Sequence, residues 1–146
     1  MRLALALTTL AAPALADAAL TERYLAASEA MRGPLGTMFA VCAPGLPPLP
    51  ERLGDENTDA AQTCVIETAL ERHGEDYAQA LVTEAEAFAA STIASLTDMA
   101  ALVGPTTAED RTLAIVQECG VPQASQGAPA GRYMMANMQA MMACMQ

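Results

Sequence analysis

The chain has 146 residues, with seventeen Asp and Glu against seven basic residues, for a formal net charge of −10. Every basic residue is an arginine, and such a surface repels phosphate backbones and anionic lipid head groups, which sets nucleic acid aside as a partner. The length is that of one ordinary domain, and composition rich in alanine and leucine favours helix.

In chain order, the first sixteen residues read as a signal peptide. Arg2 is the positive region, residues 3–10 (LALALTTL) are a short apolar core, and Pro13 precedes the small-x-small pattern Ala14-Leu15-Ala16. Cleavage is expected between Ala16 and Asp17. The apolar stretch ends at Asp17, short of the roughly 20 residues that span a bilayer. No cysteine stands at the cleavage point and no Arg-Arg pair precedes it, which argues against lipid anchoring and the twin-arginine route. A periplasmic or secreted protein follows, with residues 17–146 as a single helical domain and no membrane span.

A first helix is predicted over residues 18–31, with Leu20, Tyr24, Ala27 and Met31 on one face. Gly33-Pro34 interrupts it. Leu35, Met38, Phe39 and Cys42 then repeat the helical spacing, with Pro34 in the first turn. Residues 43–54 (APGLPPLPERLG) carry four prolines and read as an extended connector with Leu46 and Leu49 pressed onto the helices. Pro44, Pro47 and Pro50 also have the PxxP spacing of a ligand for proline-binding domains. The next helix is predicted over 58–73, with Asp59 near its positive end and Gly74 as C-cap. Its apolar face is Ile66, Ala69 and Leu70.

The longest regular stretch is 75–103, where Tyr77, Leu81, Ala85, Phe88, Thr92, Leu96, Met99 and Val103 recur at steps of three and four. It reads as the central helix of a bundle, with a kink near Ser91. Gly104-Pro105 ends it. Thr106 and Glu109 have the spacing of a capping box opening a helix that reaches Cys119. Residues 121–131 (VPQASQGAPAG) read as a loop, and a final helix is predicted over 132–146. The expected fold is all-α, a bundle of four to five helices.

Four cysteines, Cys42, Cys64, Cys119 and Cys144, in an exported chain imply two disulfides. Their wide spacing fits neither a redox CxxC, a haem attachment nor a zinc site. Three pairings are open. Sequence-neighbour pairing, Cys42 with Cys64 and Cys119 with Cys144, closes the smallest loops and is the expected one. Against it, an adjacent antiparallel last helix pair would put Cys119 and Cys144 at opposite ends.

The most unusual segment is RYMMANMQAMMACMQ, residues 132–146. Met134, Met138, Met141 and Met145 form one helical stripe, broadened by Met135 and Met142. Thioethers are soft donors suited to Cu(I) or Ag(I), and Met-x-x-Met spacing sets two sulfurs on adjacent turns. Methionine also fills cores, and a flexible Met surface, here Met135, Met138 and Met142, accepts varied partners. From Met134 to Met145 the segment resembles the methionine-rich stretches of periplasmic copper- and silver-binding proteins, without the histidines those often carry. That resemblance implies a soft-metal ligand set.

No other chemistry finds footing. The single histidine, His73, stands at a predicted helix C-terminus, where it complements the dipole. No nucleophile has a nearby base, and no phosphate cradle, calcium loop or cofactor motif is present. Asp55, Glu56 and Asp59, like Glu75 and Asp76, sit at helix starts, where carboxylates are expected. The leading expectation is a non-catalytic envelope protein, without cofactor, that binds another envelope protein or a small apolar ligand. Soft-metal binding is the first alternative and a carboxylate-based hydrolase the second.

Overall fold

The structure, a computed structural model, describes residues 12–145. Its regular structure is helical throughout: α1 (Ala12–Ala30), α2 (Arg32–Cys42), α3 (Glu56–His73), α4 (Glu75–Ala89), α5 (Leu96–Ala101), α6 (Asp110–Glu118), α7 (Val121–Gly127) and α8 (Pro129–Met141), closed by a 3-10 turn at Met142–Met145. The all-α class stands, with more segments than four to five. Most of the expected leader lies outside the described residues, and the Ala16–Asp17 bond falls in the second turn of α1. No helix among the described residues is long and apolar enough to cross a membrane.

Two apolar clusters organise the helices. The larger one joins Leu20 of α1, Val65, Ile66 and Ala69 of α3, Tyr77, Ala78, Leu81 and Val82 of α4, and Ile115 of α6. Five of these nine, Leu20, Ile66, Ala69, Tyr77 and Leu81, are positions of the predicted stripes, so helical periodicity places part of this core. The smaller cluster joins Met38 and Phe39 of α2, Ile93 and Cys144. Leu46 and Leu49 of the proline-rich connector press against it, as the sequence led one to expect.

α3 starts two residues before the predicted boundary, because the Asp55 side chain accepts a hydrogen bond from Thr58 N at 3.0 Å and caps it. Gly74 ends it at a φ of 85°, a left-handed backbone that glycine adopts without a Cβ penalty.

Three expectations are corrected. The single helix over 75–103 is two helices. After Ala89 the Ser91 hydroxyl donates to Phe88 O at 2.6 Å, and Ser95 and Asp98 form a reciprocal capping box that starts α5 afresh. Ile93, in the link between them, is buried in the smaller cluster. Next, Thr106 and Glu109 do not form the expected capping box: α6 begins at Asp110 and its N-cap, Glu109, makes no side-chain cap. The Glu84 carboxylate of α4 takes the amides of Thr106 and Thr107 instead, at 2.9 and 2.8 Å, together with the Thr107 hydroxyl at 2.7 Å. Last, residues 121–131 are not a loop. Pro122 and Pro129 each lie in the first turn of a helix, where a missing N–H costs nothing.

Carboxylates of this chain thus tie its irregular segments to its helices. Glu29 of α1 accepts from Leu53 N and Gly54 N at 2.9 and 2.8 Å, holding the end of the connector. At Glu84, burial pushes the carboxyl up, but the hydrogen bonds from Thr107 and Thr106 outweigh it and hold the group below its ordinary range. Hydrogen bonds from Thr58 likewise lower Asp55. A carboxyl depressed in the folded state adds stability above its unfolded value, near pH 4, and loses it as pH falls through the folded value. The urea midpoint is therefore expected to fall on acidification below about pH 4. Glu84→Gln should lower the midpoint at neutral pH and flatten that fall; an unchanged acid slope would remove Glu84 as a contributor.

Candidate functional site: the methionine face

α8 is set in place from three sides. At its start, α7 and α8 approach so closely that a Cβ at Gly131 would run into the carbonyl oxygen of Ser125. Midway, Tyr133 donates its hydroxyl to Pro47 O at 2.6 Å and packs its ring against Phe39, centroids 6.3 Å apart. Burial pushes the Tyr133 hydroxyl up from the usual tyrosine range, so it stays protonated as the donor. At the end, Cys144 is buried in the smaller cluster and bonded to Cys42 of α2, with Cα atoms 5.0 Å apart.

This anchoring fixes which edge of α8 turns inward. Tyr133, Asn137 and Met141, four residues apart, are half-buried. Tyr133 and Met141 pack on the smaller cluster, and Asn137 donates to Tyr133 O at 2.8 Å. The opposite edge is methionine. Met134, Met135, Met138, Met142 and Met145 are between 46% and 62% exposed, while Met38 is 0% exposed. From Met134 to Met145 there is no charged residue, in a chain of net charge −10. The result is an uncharged apolar ridge on an acidic protein.

The sequence-derived residues are placed as follows. Met135, Met138 and Met142 all lie on the exposed ridge. Of the four proposed metal ligands, Met134, Met138 and Met145 are exposed, and Met141 is turned toward the core. The stripe is therefore divided between two faces, and core filling accounts only for Met141. Met145 also leaves the α-helical register, since the last residues wind as a 3-10 turn. His73 is exposed at the C-terminus of α3, its ring 4.9 Å from that of Tyr77.

Two features beside the ridge escaped sequence reasoning. A groove of about 540 Å³ runs between α2 and the connector, lined by Arg32, Phe39, Leu46, Leu49 and Tyr133. A second cavity, about 280 Å³, opens beside Met134 and reaches Tyr24, Leu53 and Thr58. Both depend on the connector lying flat across α2 and α1, which composition shows only as an extended segment. The one usable signal was the pair Leu46 and Leu49.

Cys64 and Cys119 form the second bridge, with Cα atoms 5.7 Å apart. The expected sequence-neighbour pairing is thus wrong. The bridges are nested, Cys64–Cys119 lying within the interval closed by Cys42–Cys144, because α3 packs on α6 while the chain end returns to α2. All four cysteines are consumed, and no free thiol is left among the described residues.

Fold and site together define a small all-helical protein, held by two nested disulfides and carrying an exposed methionine face. Compared with known proteins, the chain matches no family model, no curated protein and no solved structure.

Proposed function

We propose that this is a non-catalytic, exported binding protein of the cell envelope, whose contact surface is the ridge Met135, Met138 and Met142. The observation that carries this reading is five exposed methionines within one uncharged segment, residues 134–145, of a chain with net charge −10. Apolar surface rimmed by polar residues marks an interaction site, and the unbranched thioether adapts to the shape it meets. An envelope protein offering an apolar groove or helix is the occupant this chemistry suits. A small apolar ligand would instead use the groove beside Tyr133.

Pull-down from an envelope fraction, with the native protein and a Met135→Ser/Met138→Ser/Met142→Ser variant, tests the reading. A partner retained by the native form and lost by a variant of native helicity is the expected result. Equal recovery by both forms would remove the ridge from the interaction.

The soft-cation reading draws on the same exposure, since Met134, Met138 and Met145 keep their sulfurs at the surface rather than in the core. Anaerobic titration with Cu(I) separates the two. Sub-micromolar binding that disappears when these methionines become leucine supports metal; its absence leaves the protein-binding reading.

A further inference from the structure

Sulfur is distributed unequally in this molecule. Both cysteine pairs are oxidised already, and the chain contains no tryptophan. The thioethers are consequently the side chains most readily oxidised by two electrons, and their susceptibility follows exposure. Met38 is sealed, Met31, Met99 and Met141 are half-buried, and five methionines stand exposed along α8 and the 3-10 turn that follows it.

We infer that the methionine face is a reversible oxidation site, which peroxide converts from an apolar ridge to a polar one while both cores and both disulfides stay intact. The inference uses the ridge of the proposed function but requires no partner.

The chemistry is balanced within the site. A thioether sulfur attacks one peroxide oxygen with its lone pair, forming an S–O bond as the O–O bond breaks, and the departing hydroxide takes the proton of the new sulfur-bound hydroxyl and leaves as water. Sulfur is oxidised by two electrons to the sulfoxide and peroxide is reduced by two. The return step requires a dithiol-dependent sulfoxide reductase, in which the dithiol supplies two electrons and becomes a disulfide while the sulfoxide oxygen leaves as water.

Fold retention follows from the anchoring of α8. Its inward edge is Tyr133, Asn137 and Met141, and its end is bonded through Cys144 to Cys42, so none of the five exposed sulfurs contributes to either cluster. A sulfoxide at a surface position gains hydration without opening a cavity. The same change at Met38 would place a polar S=O in a sealed core.

Graded hydrogen peroxide on the intact, disulfide-bonded protein tests this. The readouts are mass spectrometry of arginine-specific fragments, taken after the oxidant is quenched and the disulfides are reduced, far-UV circular dichroism, and retention on a hydrophobic column. Fragment 133–146 is expected to gain up to five oxygens, roughly tenfold or more faster than the Met38 fragment gains one. Helicity should be unchanged and retention shortened, and sulfoxide reductases with their dithiol donor should restore the retention. A variant with the five exposed methionines changed to leucine keeps the apolar ridge and should show no peroxide-dependent shift. Oxidation of Met38 in step with the ridge, loss of helicity as the ridge oxidises, or an equal shift in the leucine variant would each overturn the inference.

Discussion

Replacing Cys64 and Cys119 together by alanine is expected to remove about 4 kcal/mol of unfolding free energy. The bridge spans 55 residues, and closing a loop of that length in the unfolded chain carries an entropy equivalent to roughly that amount. A domain of ordinary stability has about 5 to 15 kcal/mol in total, so this variant should unfold at far lower urea. The Cys42–Cys144 bridge spans 102 residues and by the same reasoning contributes nearer 5 kcal/mol. Because the bridges are nested, the second to be removed finds its loop less constrained, and the two losses should not simply add.

The pairing itself is directly readable. Cleavage at arginine gives one fragment for each cysteine: 33–52 holds Cys42, 53–72 holds Cys64, 112–132 holds Cys119 and 133–146 holds Cys144. A non-reducing digest should show 33–52 linked to 133–146, and 53–72 linked to 112–132. Any other linkage would contradict the packing of α3 on α6 and the return of the chain end to α2.

That pairing also marks the boundary of what the sequence discloses. Where local chemistry decides, the reading was sound: Gly74 ends α3, and Tyr77 and Leu81 face the larger core. Where two distant segments decide, it was not. A four-residue step continues through Thr92 and Leu96, yet Thr92 is exposed and the helix breaks, because Ile93 is drawn into a cluster formed with α2 and the chain end. The spacing of Thr106 and Glu109 is that of a capping box, but a carboxylate more than twenty residues upstream, Glu84, takes the amides of Thr106 and Thr107. The same motif at Ser95 and Asp98 is real and was hidden by the apparent continuity of the stripe.

The methionine face was only half legible for the same reason. Spacing puts Met134, Met138 and Met141 on neighbouring turns, but cannot say which side of that stripe meets protein. The decision is made by Tyr133 reaching Pro47 and by Cys144 reaching Cys42, two contacts with segments about ninety or more residues away. Those anchors rotate Met141 inward and leave Met135, Met138 and Met142 outside.

Met38 provides the sharpest contrast within one residue type. It is 0% exposed at the centre of the smaller cluster, among Phe39, Ile93 and Cys144. Met38→Ala removes buried apolar volume and leaves a cavity, so about 2 to 5 kcal/mol should be lost. Met38→Leu keeps the volume and should cost less than about 1.5 kcal/mol. Met138→Ser, on the exposed ridge, should stay within roughly 0.5 kcal/mol of the native protein. Urea denaturation of the three variants supplies the energies, and amide hydrogen exchange locates the loss. In Met38→Ala, protection should fall first in α2, in the link around Ile93 and in α8, since these are the elements that the smaller cluster joins. Comparable losses for Met38→Ala and Met138→Ser would mean that the ridge is packed in solution, and the surface on which both the binding and the oxidation readings depend would not exist.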